Sequence, residues 1–117
     1  MINQSIPTIN QYSALISLDL LDETLGSIEE IAEDLIADLN LNVVKKMTHT
    51  FHPAGTTLAY ILSESHLLIH TWPELGVIHI DLVTCSYRSE KEFESSLKAA
   101  FSEQNIKSIE IKSVNFD

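Results

Sequence analysis

The chain has 117 residues, 44% of them hydrophobic, and a net charge of −10 from 17 acidic and 7 basic side chains. That length gives one domain, 1–117, with a small core. The acidic balance excludes nucleic acid, whose phosphates need a basic patch, and suits a small cationic ligand.

Met1 to Thr8 lacks the basic-then-apolar pattern of a signal peptide, and no apolar run is long enough for a membrane span. Tyr12 to Leu20 reads as the first strand. Ser27-x-x-Glu30 has the form of a capping box, and Ile28, Ile31, Leu35 and Leu39 follow at helical spacing, which predicts a helix with one apolar stripe. Four strands come next: Asn42 to Thr50, Thr57 to Leu62, His66 to Thr71 and Val77 to Thr84. Turn signals at Pro53-Ala54-Gly55 and Pro73-Glu74-Leu75-Gly76 punctuate them. Ser89-x-x-Glu92 opens a second helix carrying Phe93, Leu97, Ala100 and Phe101. After Gln104-Asn105, Ser108 to Val114 is the last strand. The order β-α-β-β-β-β-α-β predicts an α+β two-layer sandwich, an antiparallel sheet with both helices on one face. The other face then needs cover from solvent-tolerant side chains or from a partner. The single cysteine, Cys85, excludes an internal disulfide and fits a reducing, cytoplasmic location.

Reactive side chains crowd into Ser63-Glu64-Ser65-His66-Leu67-Leu68-Ile69-His70-Thr71-Trp72-Pro73-Glu74. His66 and His70 suggest a metal, but four residues of strand span about 13 Å at roughly 3.3 Å each, too far to share one ion. His49, His52 and His79 match no standard zinc spacing, so no metal is expected. Cys85 with His70 could form a thiol nucleophile, although a lone cysteine is more often a small core residue. If the Pro73–Gly76 turn closes a hairpin, Cys85 is expected well beyond the point opposite Ser65.

The run Gly55-Thr56-Thr57-Leu58-Ala59-Tyr60-Ile61-Leu62-Ser63-Glu64-Ser65-His66-Leu67-Leu68-Ile69-His70-Thr71-Trp72-Pro73-Glu74, continuing through Ile80-Asp81-Leu82-Val83-Thr84-Cys85, closely resembles the bacterial and archaeal S-adenosylmethionine decarboxylases. Those are pyruvoyl enzymes of polyamine (spermidine) synthesis. The likeness is strongest over Phe51–Cys85, about a third of the chain, and the E-S-H-x-x-I-H-T-W-P-E block with T-C at the right distance is highly specific.

The resemblance implies a self-cleaving proenzyme. Decarboxylating an α-amino acid leaves a carbanion, which ordinary side chains cannot delocalise, so an electron sink is required. A pyruvoyl group made from Ser65 would supply it, taking the substrate amine as a Schiff base. Attack of Ser65 Oγ on the Glu64 carbonyl gives an ester. β-Elimination leaves dehydroalanine, and loss of ammonia leaves pyruvoyl, dividing the protein into a β chain 1–64 and an α chain 65–117. By resemblance His70 assists processing and Cys85 is the proton donor that quenches the carbanion. Glu74 holds the ribose hydroxyls, Phe51 lines the substrate pocket, and two chains form a homodimer with sites near the interface.

Some positions depart from the family pattern. Thr57 stands where a serine usually helps processing; it keeps the hydroxyl but restricts χ1. Tyr60 and Leu58 replace small or aliphatic residues in the same strand. Relatives on this scaffold decarboxylate arginine or ornithine while keeping the serine, histidine and cysteine, so these remain alternative substrates. A non-catalytic regulatory homologue is a further alternative; it would be expected to lose Ser65, His70 or Cys85, and all three are present.

Overall fold

The computed structural model describes residues 8–19, 21 and 25–116, apart from the side chains of Leu25 and Gly26. Its elements are β1 (Ile9–Leu18), α1 (Leu25–Asp38), β2 (Val43–Thr50), β3 (Thr56–Leu62), β4 (Ser65–Trp72), β5 (Val77–Thr84), α2 (Glu90–Ala100) and β6 (Ile106–Phe116). A short 3₁₀ turn, Pro73–Leu75, joins β4 to β5. The six strands form one antiparallel sheet in the order β2-β3-β4-β5-β1-β6. With both helices on one face, the architecture is the expected α+β two-layer sandwich.

Alternation along the strands decides which face the helices cover. Tyr12, Ala14, Ile16 and Leu18 of β1 are buried, as are Ile78, Ile80 and Leu82 of β5. They pack with Leu58, Tyr60, Leu67 and Ile69 into a single core that includes Ile28, Leu35, Phe93, Leu97 and Phe101 from the helices. The Tyr12 ring lies 5.4 Å from Phe93, and its hydroxyl donates to the Arg88 carbonyl at 2.6 Å. That contact ties the segment before α2 to the centre of the sheet.

At α2 the expected capping box is complete. The Ser89 hydroxyl accepts from the Glu92 N–H at 3.1 Å, and the Ser89 N–H donates to the Glu92 carboxylate at 2.8 Å. At α1 the expectation is corrected: the helix begins at Leu25, so Ser27 lies inside its first turn instead of capping it. S-x-x-E spacing also occurs within helices, where it carries no boundary information. β1 begins three residues before Tyr12, and Leu20 lies outside the described residues.

Gly76 closes the β4–β5 hairpin with φ of 64°. A Cβ there would come within 2.8 Å of the Leu18 carbonyl oxygen, so no other residue fits without a shift. Trp72 pairs with Val77 at this end, which fixes the register of everything beyond.

Among the described residues the second sheet face has no helix. Leu15, Ile61, Leu68 and Trp72 are 36–43% exposed on it, among half-buried Thr57, His70, His79 and Asp81. Asp81 is held there by Ser13 Oγ at 2.7 Å and Gln11 Nε2 at 3.0 Å. Among the described residues no helix is long and apolar enough to cross a membrane.

Candidate active site

The residues singled out from sequence fall into two groups. The first surrounds the two-residue turn Ser63-Glu64 between β3 and β4. Leu62 pairs with Ser65 across this turn, and Glu64 is exposed with φ of 61°. A side chain rarely adopts that left-handed conformation, which carries a strain of about 1 kcal/mol or more. Cys85 belongs to this group, which overturns the expectation that it lies well beyond Ser65. The β4–β5 ladder runs out to His66 and Val83, and Glu64 and Cys85 come just past the ends of the two strands. The Cys85 thiol donates to Glu64 Oε1 at 3.8 Å.

The second group lies along the open face. Thr57 pairs with His70 across β3 and β4, and Thr57 Oγ1 is 2.5 Å from His70 Nδ1. The His70 ring centroid is 4.5 Å from Trp72 and 5.7 Å from Phe51, which is itself 4.5 Å from His49. Phe51 is oriented by the β2–β3 loop, where its N–H donates to the Gly55 carbonyl at 2.8 Å. A shallow depression of about 280 Å³ runs beside His70, lined by Thr57, Leu68, Trp72, His79 and Asp81. Glu74 is exposed on the 3₁₀ turn just past Trp72.

The two groups do not meet within one chain. Ser65 and His70 are both on β4 and five residues apart, about 16 Å along a strand. The arrangement therefore brings Cys85 to Glu64 and Ser65, and brings Thr57 and Phe51 to His70, but leaves the serine and the histidine apart.

His79 and Asp81 were missed as neighbours of His70. His79 is its cross-strand partner, and the alternation of Val77–Thr84 placed both residues on that face. Leu58 and Tyr60 prove to be core residues on the opposite face from Thr57, so they do not shape the depression. The Tyr60 hydroxyl is buried without a hydrogen-bond partner among the described residues. Burial, with Glu33 adding to it, pushes its phenol above the ordinary value. A larger cavity of about 640 Å³, lined by Asp38, Arg88 and Glu92 among others, touches none of the candidate catalytic or binding residues. Size is therefore a poor guide here, and the reactive side chains are the better one.

The comparisons with known proteins span both groups. A profile of the family described as S-adenosylmethionine decarboxylase matches residues 16–114. The chain is 43% identical over 94 residues to the S-adenosylmethionine decarboxylase proenzyme of Clostridium botulinum (strain Langeland / NCTC 10281 / Type F), covering 79% of this chain and 78% of that one. A proenzyme of the same name from Methanococcus maripaludis (strain C7) is 43% identical over 65 residues, or 56% of this chain and 52% of the relative. The fold is similar to the crystal structure of the adenosylmethionine decarboxylase from Aquifex aeolicus VF5. The TM-score is 0.70 at 24% identity, over 92% of this chain and 88% of that one. The family profile thus spans most of the chain and the fold agrees over 92% of it, and the chain belongs to the S-adenosylmethionine decarboxylase family.

Proposed function

We infer that this chain is a self-processing S-adenosylmethionine decarboxylase, cut between Glu64 and Ser65 into a β chain 1–64 and an α chain 65–117. The observation that carries the reading is the β3–β4 turn. Its left-handed Glu64 precedes Ser65, and the Cys85 thiol rests on the Glu64 carboxylate.

The residues suit a pyruvoyl group made in place. Ser65 Oγ attacks the Glu64 carbonyl, the peptide C–N bond breaks and an ester forms. A base then removes the Ser65 α-proton, and the Glu64 carboxylate leaves as the end of the β chain. Hydrolysis of the resulting dehydroalanine releases ammonia. Once formed, the group supplies the electron sink for decarboxylation.

His70 is the candidate base. In the tautomer whose Nδ1–H donates to Thr57 Oγ1, the Nε2 lone pair is free to take a proton. Because His70 stands about 16 Å from Ser65 in its own chain, the histidine that serves a given serine comes from a second copy. A homodimer packed through the open sheet face brings one copy's Thr57 and His70 to the other's Ser65 and Cys85. It also covers Leu15, Ile61, Leu68 and Trp72.

The substrate is a sulfonium cation, in keeping with the net charge of −10. In this reading Phe51 lines the substrate pocket and Glu74 holds the ribose hydroxyls. The lone thiol of Cys85 supports a reducing, cytoplasmic setting.

Denaturing mass analysis of purified protein tests the reading. Scaling 13.1 kDa by 64/117 and 53/117 gives fragments of about 7 and 6 kDa, the smaller without a free amino terminus. The cut protein should release carbon dioxide from S-adenosylmethionine. An intact species with no such release overturns the reading.

A further inference from the structure

We propose that the Glu64 side chain is a positioning residue for Cys85, holding its S–H as a hydrogen-bond donor so that the proton is kept on sulfur until the reaction takes it. This rests on the role of Cys85 in the reading above, but it assigns Glu64 a task beyond donating the carbonyl that is cut.

Three observations carry it. Cys85 Sγ donates to Glu64 Oε1 at 3.8 Å. Glu64 sits in a two-residue turn with a left-handed φ of 61°, which sets the direction in which its side chain leaves the backbone. The β4–β5 ladder runs out to His66 and Val83, and Glu64 and Cys85 follow just past the ends of the two strands, on the same side of the sheet end.

When the proton is used, the S–H bond breaks heterolytically. The proton goes to the substrate carbon that has lost carbon dioxide, and the electron pair stays on sulfur. Glu64 is exposed, so water at the turn can return a proton to the thiolate.

The test compares two full-length, uncut proteins, Ser65→Ala and the double variant S65A/E64Q, by the rate of Cys85 alkylation with iodoacetamide at neutral pH. Alkylation consumes thiolate. The proposal expects the double variant to react roughly three- to tenfold faster. Equal or slower alkylation overturns it, and equal rates after denaturation serve as the control for fold. In the cleaved protein, E64Q is expected to lower kcat with little change in KM and to inactivate after fewer turnovers. A matching change in KM alone would overturn the assignment, since it would place Glu64 in substrate binding. If the parent protein neither cuts itself nor decarboxylates, the function proposed above falls, while the alkylation comparison still decides the Glu64–Cys85 contact.

Discussion

Thr57 Oγ1 and His70 Nδ1 face each other at 2.5 Å across the β3–β4 ladder, on the sheet face without helices. Threonine in place of serine therefore preserves the hydrogen bond, and its added methyl group restricts χ1.

Removing that hydroxyl is expected to slow self-cleavage. T57V should reduce the rate of fragment appearance by roughly 10- to 100-fold, less than the roughly 100- to 10,000-fold of a lost general base because His70 itself remains. T57S should stay within about threefold of the parent. A time course of intact and cut masses decides it. T57V cleaving at the parental rate would remove the hydroxyl from processing.

Sharing of sites between two copies makes a sharper prediction. S65A and H70A are each expected to remain uncut alone. Mixed as chains that co-assemble at random, they should form one intact composite site in each heterodimer, giving about a quarter of the normal number of sites. Cut H70A chains in the mixture would establish the sharing. Their absence, with heterodimers present, would put the whole site in one chain.

Much of this was legible in the sequence. Strand and helix periods gave the element order, and the Ser89–Glu92 box located the start of α2. Ser27–Glu30 misled because the same spacing fits the interior of a helix. The approach of Cys85 to Glu64 was also available: counting outward from the Trp72–Val77 closing pair pairs Glu64 with Cys85. The strand rise that keeps His66 and His70 from one ion also keeps Ser65 from His70. Neither the left-handed backbone at Glu64 nor the bond between Glu64 and Cys85 has a sequence signal, since both depend on the turn's dihedral angles.

Cys85 should separate processing from turnover. C85A is expected to cut itself normally, because its thiol takes no part in breaking the Glu64–Ser65 bond. Carbon dioxide release should fall on the order of 100-fold for want of the acid. Mass analysis and a release assay on one preparation measure both. Unimpaired release would exclude Cys85 as the donor.

The α2 cap gives a stability prediction with a pH sign. S89A should lose about 1 kcal/mol and lower Tm by several degrees. Hydrogen bonds from Ser89, the backbone N–H above all, hold the Glu92 carboxyl below its ordinary value. A depressed carboxyl stabilises fully above its unfolded value and loses that contribution as pH falls through the folded one. The gap between the parent and E92Q should thus be whole at about pH 7 and close below about pH 4. Thermal melts at both pH values check it. A gap that widens in acid would contradict the cap.

The strand order has a consequence for the molecule after its chain is opened. β1, β2 and β3 precede Glu64, and β4, β5 and β6 follow Ser65. In the sheet order β2-β3-β4-β5-β1-β6, the seams β3–β4, β5–β1 and β1–β6 each join one side of the cut to the other. The two pieces are interleaved, with β1 clasped between β5 and β6, so a severed peptide bond releases neither. Unfolding then becomes dissociation, dependent on concentration in a way that the uncut chain is not. Cleavage at the proposed bond would act as a ratchet: the fold would assemble once as a single chain, and afterwards could be rebuilt only by two fragments finding each other.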